Sequence, residues 1–299
     1  MQYDSRDIDS LIGQTPLLPI DIGIENTVVL AKMELTSFTG SAKDRMAYHM
    51  LTKAEQSGKL KPGGTIIEAT TGNTGIAFSA LAAMRGYKMI AVMPEGQSIE
   101  RVKMIKSLGA ELVLTPFKEG PAGAIVKRDE LVKQIPNSWK PDQFANPDNI
   151  EAHKLTTAVE LMKETKGDID YIVHGVGTGG TLMGVGLVFK EHNPNIRMVA
   201  VEPAESAVMS GGPAGEHNIQ GIGEGFIPPL IDMSKIDDVV AVPTQEAIDT
   251  AREFSRTHGI LIGFSAGANI AAIKKLSKRD GKRFLTFFCD RGERYLSIE

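Results

Sequence analysis

Short apolar runs rich in β-branched residues recur along the chain and alternate with stretches of helical periodicity. The runs predicted as strands are TVVLAKM, TIIEA, KMIAVM, ELVL, YIVHG, RMVAVE, DVVAV and FLTFFC. Helices are predicted between most of them, over residues 42–57, 75–85, 98–108, 151–165, 181–191, 244–258 and 266–278. This alternation predicts an α/β protein with parallel sheets and helices on both faces of each sheet.

The number of predicted strands indicates two structural units rather than one sheet. With 299 residues, the chain is long enough for one large α/β domain or two smaller ones. The polar, turn-rich segment NSWKPDQFANPDN, residues 137–149, is a candidate junction between the two units.

The charge balance and the polarity of the N-terminal stretch limit the classes of function expected for this chain. The 33 basic and 37 acidic residues are intermixed and give a net charge of −4, which argues against nucleic acid or an anionic membrane as the main partner. No apolar run approaches the roughly 20 residues of a membrane span. The N-terminal stretch MQYDSRDIDS is too polar for a secretory signal. We therefore expect a cytoplasmic enzyme.

The cysteine and histidine content argues against a metal site. A single cysteine, Cys289, allows neither an internal disulfide nor a Cys-based metal cluster. The six histidines show no metal-ligand spacing, so no metal is predicted. Cys289 ends an apolar run and is interpreted as a structural core thiol.

The stretch TSFTGSAKDR places a lysine at the start of a helix. Ser41 and Asp44 match an S-x-x-D capping box, which predicts that the helix begins at about Ala42. Lys43 then lies in the first turn, where the helix dipole disfavours its positive charge, and burial would disfavour that charge further. Both effects favour a neutral, nucleophilic amine. The alternative is an ordinary solvated helix lysine.

Two loops have the composition of anion-binding sites. In EATTGNTG, hydroxyls, an amide and backbone N–H groups gather at a helix N-terminus, on Thr70, Thr71, Gly72, Asn73 and Thr74. This predicts a cradle for a carboxylate or phosphate, although the same residues could satisfy only local backbone groups. In HGVGTGGTLMG, the residues that permit close approach to a phosphate are Gly177, Thr178, Gly179, Gly180 and Thr181. No Lys-Ser or Lys-Thr pair follows, so it is not a P-loop.

The second loop also supports a competing hypothesis. Gly175, Gly177 and Gly180 satisfy G-x-G-x-x-G, and Glu202 ends the next strand about 20 residues on. This is the dinucleotide fingerprint, so a nicotinamide dehydrogenase is a second hypothesis and a bare tight turn a third. Against the dehydrogenase, the fingerprint comes past mid-chain and leaves Lys43 without a role.

A third segment, GILIGFSAGANIAA, places Ser265 between a strand-like run and a helix of small residues. Ser265 could be a helix N-cap, or it could present its hydroxyl to a ligand. The residues alone do not decide between the two.

The motifs in combination strongly resemble one family. TGSAKDR, EATTGNTGIA, GVGTGGT, VEP, IQGIGEGFIP, GFSAGA and CDRGERYLS are similar to motifs of the pyridoxal-phosphate-dependent cysteine synthases and cystathionine β-synthases. The resemblance runs from IGQTPLL, near residue 12, to the C-terminus, with the motifs in family order. Several motifs in register are far more specific than any one alone.

The resemblance implies a role for each matching residue. Lys43 resembles the lysine that binds pyridoxal 5′-phosphate covalently, and residues 177–181 resemble the phosphate cup. Asn73 is similar to the residue that contacts the ring hydroxyl, and Ser265 to the partner of the pyridine nitrogen. Residues that look like the substrate-binding set are Thr70, Thr71, Gly72, Thr74, Gln143 and Gly221.

The resemblance also implies a fold and an assembly. The expected fold is that of tryptophan synthase β, with two three-layer α/β domains and mostly parallel sheets. Residues 36–145 would form a smaller, mobile domain, and residues 1–35 with 146–299 a larger, cofactor-binding domain. A homodimer is the usual assembly of this family.

The implied activity is β-replacement on a serine-type amino acid. O-acetylserine, serine or cysteine would react through an aminoacrylate intermediate with sulfide or a thiol, as in a cysteine synthase. The alternative is a cystathionine or lanthionine synthase that uses serine or cysteine and releases water or hydrogen sulfide. A threonine or serine dehydratase and a non-catalytic binding protein are further alternatives.

The sequence departs from the family pattern at three places. Ser37 and Phe38 replace the usual Asn-Pro, and Thr71 replaces a serine. Glu224, in GIGEGF, stands where many acetylserine-using relatives have a small residue. A carboxylic acid there could protonate a departing hydroxide and so widen use toward serine or cysteine. Alternatively, Glu224 is an exposed or ion-paired side chain at the rim of the cleft.

Overall fold

The computed structural model describes residues 9–276 and 281–298 of the chain. Within these ranges the strands are β1 (Leu17–Ile20), β2 (Val28–Lys32), β3 (Thr65–Ala69), β4 (Lys88–Pro94), β5 (Glu111–Thr115), β6 (Ser138–Trp139), β7 (Tyr171–Gly175), β8 (Arg197–Pro203), β9 (Asp238–Val242) and β10 (Arg283–Phe287). The α-helices are α1 (Lys43–Gln56), α2 (Asn73–Arg85), α3 (Ile99–Ser107), α4 (Gly120–Gln134), α5 (Asp148–Leu155), α6 (Thr157–Thr165), α7 (Gly180–His192), α8 (Thr244–His258) and α9 (Phe264–Leu276). Residues 1–8 of the polar N-terminal stretch, and residues 277–278 of the last predicted helix, lie outside the described residues.

The strands form two separate sheets. The larger sheet has the order β1-β2-β10-β7-β8-β9 and is parallel except for β1, which pairs antiparallel with β2. The smaller sheet has the order β5-β4-β3-β6 and is entirely parallel. The predicted α/β fold with mostly parallel sheets is therefore confirmed. All four strands of the smaller sheet come from residues 65–139, but the domain boundaries at residues 36 and 145 stay a prediction.

The central strands are those with continuous apolar sequence. Every residue of β3 and of β7 is buried, because helices cover both faces of a parallel sheet. All eight predicted strands are present, so the apolar runs identified them correctly. No helix in the described ranges is long and apolar enough to cross a membrane.

Four parts of the structure differ from the prediction. The strands β1 and β6 were not predicted because they are short. The helix α4 was not predicted because it begins with Gly-Pro-Ala-Gly and buries only Ala124 and Arg128. The helix predicted over residues 151–165 is two helices that meet at Thr156. The backbone of Thr156 leaves the helical conformation, with φ of −120° and ψ of −74°. Its hydroxyl donates to the Ala152 carbonyl at 2.7 Å.

The predicted capping box is wrong, although the helix starts close to the predicted residue. The helix α1 begins at Lys43, and Ala42 precedes it without a side-chain cap. The Ser41 hydroxyl is buried and has no partner among the described residues. Asp44 instead accepts hydrogen bonds from the backbone N–H of Thr39, at 2.7 Å, and from the hydroxyl of the same residue.

A buried ion-pair cluster fixes α1 against the larger sheet. Arg45, which is 2% exposed, lies 2.7 Å from Glu34 and 2.6 Å from Glu160 on α6. Lys32 of β2, also buried, lies 3.0 Å from Glu160. Because one member comes from each of β2, α1 and α6, the cluster sets the direction of the helix that carries Lys43.

We expect Glu160→Gln to lower the free energy of unfolding by about 1–3 kcal/mol at neutral pH. Burial alone would raise the pKa of Glu160, but its hydrogen bonds and the charge of Arg45 outweigh burial and bring the pKa to about 2. A lowered pKa stabilises the fold above the ordinary value of 4.5 and loses that effect as pH falls toward 2. Denaturant unfolding of both proteins at pH 7 and pH 3 measures this difference.

The control for this prediction is Glu130→Gln, which removes an exposed pair with Lys127. Its effect should stay below about 0.5 kcal/mol at both pH values. An equal decrease in the free energy of unfolding for the two variants at pH 7 would show that the buried cluster stabilises the fold no more than the exposed pair does.

Candidate active site

Four helices begin around one cleft, and each start carries residues singled out from the sequence. These are the N-termini of α1, α2, α7 and α9, and two of them directly follow the carboxyl ends of β3 and β7. The carboxyl edge of parallel strands is the usual site of ligand binding in α/β proteins. The predicted residues that line the two adjoining cavities of the cleft are Lys43, Thr70, Thr71, Asn73, Thr74, Gln143, Gly177, Thr178, Gly179, Gly180, Thr181, Gly221, Glu224 and Ser265.

Lys43 lies where the two cavities meet, since it lines both of them. Its side chain is half-buried, and its amine donates no hydrogen bond to any residue in the described ranges. A buried structural lysine normally has a hydrogen-bonded partner. The amine of Lys43 is therefore free to react with a ligand in the cleft.

His174 and Cys289 form part of the wall near Lys43. Burial and, to a smaller extent, the charge of Lys43 lower the pKa of His174 to about 3, so the imidazole is neutral. Burial raises the pKa of Cys289 to about 12, so the thiol is neutral as well. The sulfur lies 3.8 Å from His174 Nε2. Both groups are uncharged at neutral pH, and Cys289 is buried as predicted.

The loop before α7 presents unsatisfied backbone donors to the cleft. In the described part of the chain, the N–H groups of residues 177–181 have no hydrogen-bond acceptor. They lie at the N-terminus of α7, where the helix dipole favours an anion. The side chains of this loop are held from behind, because Thr178 accepts from Asn149 at 3.0 Å and Thr181 contacts His153 at 3.2 Å. The loop therefore fits a phosphate group.

Glycine is required in this loop by close packing. A Cβ at Gly177 would overlap the carbonyl oxygen of Gly221, and a Cβ at Gly180 would overlap the side chain of Asn149. Gly179 has φ of 86°, in the left-handed region that favours glycine. None of these three positions can carry a side chain unless its neighbours move.

Ser265 lies inside the first turn of α9, which begins one residue earlier, so the N-cap interpretation is wrong. The side chain is 5% exposed, and its hydroxyl has no partner among the described residues although it lines the cavity with Lys43. A buried hydroxyl with a free donor and acceptor fits a neutral ring nitrogen.

In the Thr-Thr-Gly-Asn loop, some polar groups bond within the loop itself and others face the cleft. The Thr70 hydroxyl accepts from two N–H groups of its own loop, at 2.9 and 3.0 Å, so it stabilises the loop itself. Thr74 donates to the Gln143 side chain at 2.6 Å, which links the loop to the segment that precedes α5. Gly72 lies outside the cavity lining, and Thr71 is half-buried at the edge of the cavity.

Arg101 is a cleft residue that the sequence did not indicate. It belongs to α3, is 1% exposed, and lines the same cavity as Lys43 and Glu224. It donates to Gln220 at 2.6 Å and stacks over the ring of Tyr295 at 4.5 Å. No motif marks residue 101, because its side-chain partners Gln220, Asp290 and Tyr295 come from segments more than 100 residues away.

Glu224 faces the cleft as a half-buried carboxyl group. Burial raises its pKa to about 7, although the charges of Lys43 and Arg101 oppose the increase. It forms no ion pair with any residue in the described ranges. The raised pKa lets Glu224 keep its proton closer to neutral pH than an ordinary glutamate does, as a general acid requires.

The dinucleotide hypothesis is wrong for a structural reason. The Glu202 carboxylate accepts from the backbone N–H groups of Met209 and Ser210, at 2.8 and 3.0 Å, and from the Ser210 hydroxyl at 2.5 Å. It is 1% exposed and cannot reach a ribose. Its acceptors are used to hold the chain that follows β8.

Outside the cleft, the possible ligand atoms of His49, Asp148 and Glu151 lie close enough together to hold a metal ion. The ammonium of Lys53 forms ion pairs with both carboxylates. A cation thus already neutralises these acids, and we assign no metal to them.

Comparison with known proteins gives consistent matches over nearly the whole chain. The family described as pyridoxal-phosphate dependent enzyme matches residues 8–290. A cysteine synthase of Staphylococcus aureus is 45% identical over 97% of this chain and 95% of its own length. The structure of an O-acetylserine dependent cystathionine β-synthase from Helicobacter pylori is 38% identical, with a TM-score of 0.95 over 100% of this chain and 99% of that one. A hydrogen sulfide-producing enzyme from Fusobacterium nucleatum is 38% identical, with a TM-score of 0.94 over 97% and 99% of the two chains.

Proposed function

Because this chain belongs to the pyridoxal-phosphate dependent enzymes, in the branch of the cysteine synthases and cystathionine β-synthases, we propose that it catalyses β-replacement on a serine-type amino acid. Sulfide is the proposed nucleophile, which makes the chain a cysteine synthase and a transferase. The observation that carries the proposal is the unpartnered amine of Lys43 beside the phosphate-sized loop of residues 177–181. Activity in the cytoplasm as a homodimer is part of the same proposal.

Pyridoxal phosphate, when bound, supplies an aldehyde that an amine can bond and a ring that withdraws electrons from the substrate α-carbon. The residues of the cleft fit it. The N–H groups before α7 would hold its phosphate without a lysine or arginine, and the neutral hydroxyl of Ser265 would face its ring nitrogen. Lys43 would hold it covalently and then move the proton of the substrate α-carbon. The α-carboxylate would be held by Thr70, Thr71, Gly72, Thr74 and Gln143. Asn73 would face the ring hydroxyl.

A substrate panel tests the proposal. Purified protein loaded with pyridoxal phosphate should convert O-acetylserine and sulfide to cysteine. Serine, cysteine and homocysteine in the same panel would reveal cystathionine, lanthionine or sulfide as products. Formation of 2-oxo acid and ammonia alone would identify a dehydratase instead and overturn the proposal.

The groove that leads to Glu224 favours a second candidate, in which an amino-acid thiol is the nucleophile. One wall is formed by residues 117–122 and the other by residues 214–217 and 220–226. Its exposed acids, Glu95, Glu119 and Glu216, outnumber the single lysine Lys118. Sulfide needs no such groove, whereas a thiol that carries an ammonium group would be attracted to it. Cystathionine or lanthionine synthesis would follow.

We expect Glu224→Gln to reduce turnover of serine by about 100-fold and to change turnover of O-acetylserine little. Hydroxide leaves only with a proton, which Glu224 would supply, whereas acetate leaves without one. Since the pKa of Glu224 is about 7, the parent should lose serine turnover as pH rises through that value. The kcat for each donor between pH 6 and 9, about the range where the protein should stay folded, measures this.

The matched control is Glu216→Gln, which removes an exposed acid of the same groove. It should keep the pH dependence of the parent with serine. An unchanged serine rate and pH profile in Glu224→Gln would assign Glu224 no part in proton transfer.

A further inference from the structure

A buried polar cluster joins the Thr-Thr-Gly-Asn loop to the C-terminal segment. We call it the Asp290 cluster, and its members are Asn73, Arg101, Gln220, Asp290, Arg294 and Tyr295. It connects α2, α3, the loop that carries Glu224, and the chain after β10. Part of it lines the cleft, yet no step described above uses Asp290 or Arg294.

Asp290 is the centre of this cluster. It is 1% exposed, and its Oδ2 accepts from Asn73 Nδ2 at 2.6 Å, from the Tyr295 hydroxyl at 2.5 Å and from Arg101 at 3.3 Å. Burial holds the pKa of Tyr295 well above its usual range, so this phenol stays a donor. An ionised carboxylate only accepts hydrogen bonds. The end of Asn73 that faces Asp290 is therefore its NH₂ group.

Arg294 fixes the other end of the same carboxamide, because it donates to Asn73 Oδ1. A guanidinium only donates hydrogen bonds, so the oxygen must face it. The orientation of Asn73 is thus determined by its two charged neighbours. Its NH₂ group has one N–H on Asp290 and a second N–H left over, and Asn73 lines both cavities of the cleft.

We propose that Asp290 is a positioning residue, which together with Arg294 turns the Asn73 carboxamide so that an N–H donor, rather than the oxygen, faces the cofactor ring. This inference rests on the proposed function, in which Asn73 meets the ring hydroxyl. The donor would stabilise negative charge on that oxygen and so tune the ring, as hydrogen bonds to cofactors do. Asp290 also neutralises Arg101 across the cleft.

The test is Asp290→Asn, which keeps the shape and removes the charge. An asparagine can donate as well as accept, so Arg294 alone is left to orient Asn73, and the buried charge that pairs with Arg101 is lost. We expect the dissociation constant for pyridoxal phosphate to rise by about tenfold or more and the visible absorption band of the bound cofactor to shift. Titration of the apoprotein with the cofactor, followed by absorbance, gives both values.

Tyr295→Phe is the matched control inside the cluster. It removes one hydrogen bond from the same carboxylate oxygen but leaves the pair of Asn73 and Asp290 intact. Its absorption band should equal that of the parent. An equal shift in Tyr295→Phe and Asp290→Asn would mean general loosening of the cluster and would overturn the proposal.

The double variant Asn73→Asp with Asp290→Asn separates orientation from folding. It exchanges donor and acceptor, so the buried pair is restored and Arg294 donates to a carboxylate at position 73. We expect the thermal stability of the apoprotein to return toward that of the parent while the absorption band stays shifted, because a carboxylate at position 73 offers only acceptors. If Asp290→Asn alone does not fold, the double variant still tests the proposal.

Two further results would overturn the proposal: a parental dissociation constant and band in Asp290→Asn, or a parental band in the double variant. Failure of the proposed function is distinguishable, since the parent protein itself would then not bind pyridoxal phosphate or would not form the expected products.

Discussion

Lys43→Ala is expected to reduce turnover with O-acetylserine and sulfide by about 10³-fold or more, because one amine would lose two roles, covalent attachment and proton transfer. Alanine keeps the helix propensity at this first helical residue. Since the amine has no hydrogen-bond partner among the described residues, the variant should unfold at nearly the parental temperature. Steady-state kinetics together with thermal unfolding measure the two effects separately.

Lys53→Ala is the matched control for that prediction. It removes a lysine from the same helix, α1, where its ammonium pairs with Asp148 and Glu151 on the surface. Turnover should stay near the parental value. More than about 10% residual turnover in Lys43→Ala would be too much for a variant without its nucleophile and base.

Gly177→Ala is expected to weaken binding of pyridoxal phosphate by about 100-fold. The added methyl group would overlap the backbone carbonyl oxygen of Gly221, which cannot move aside as a side-chain end can. Either the phosphate loop or the loop that carries Glu224 must shift, and the N–H groups of residues 177–181 would no longer converge on one anion. Absorbance titration of the apoprotein with the cofactor measures the dissociation constant.

Gly186→Ala provides the control on the same helix. Its added methyl group meets only the flexible thioether end of Met198, far along α7 from the phosphate loop. Cofactor affinity should match the parent even if stability changes slightly. Equal affinity in Gly177→Ala and the parent would place the phosphate somewhere other than this loop.

The sheets were predictable because their central strands are continuous apolar runs, as in β3 and β7. The elements with a weak hydrophobic pattern were not predicted. The helix α4 buries few residues, and β1 and β6 are only four and two residues long. The break at Thr156 lies in the backbone conformation of a single residue, which periodicity does not reveal.

The site residues were predictable where they lie next to one another at helix starts, as in the phosphate loop. The residues missed are those joined only by tertiary packing. Arg101 reaches Gln220 and Asp290 across 119 and 189 positions of sequence, so no local motif relates them. The capping box failed for a local reason, since Asp44 bonds to Thr39 rather than to Ser41. Spacing alone does not decide between two nearby hydroxyl-bearing partners.

The central claim is that Lys43 is the residue that binds the cofactor. Protein loaded with pyridoxal phosphate can be reduced with borohydride, digested and mapped by mass spectrometry, which locates the fixed cofactor on one lysine. We predict that the label lies on the peptide that contains Lys43 and on no other. A label on a different lysine, or an active protein with no label, would contradict the account.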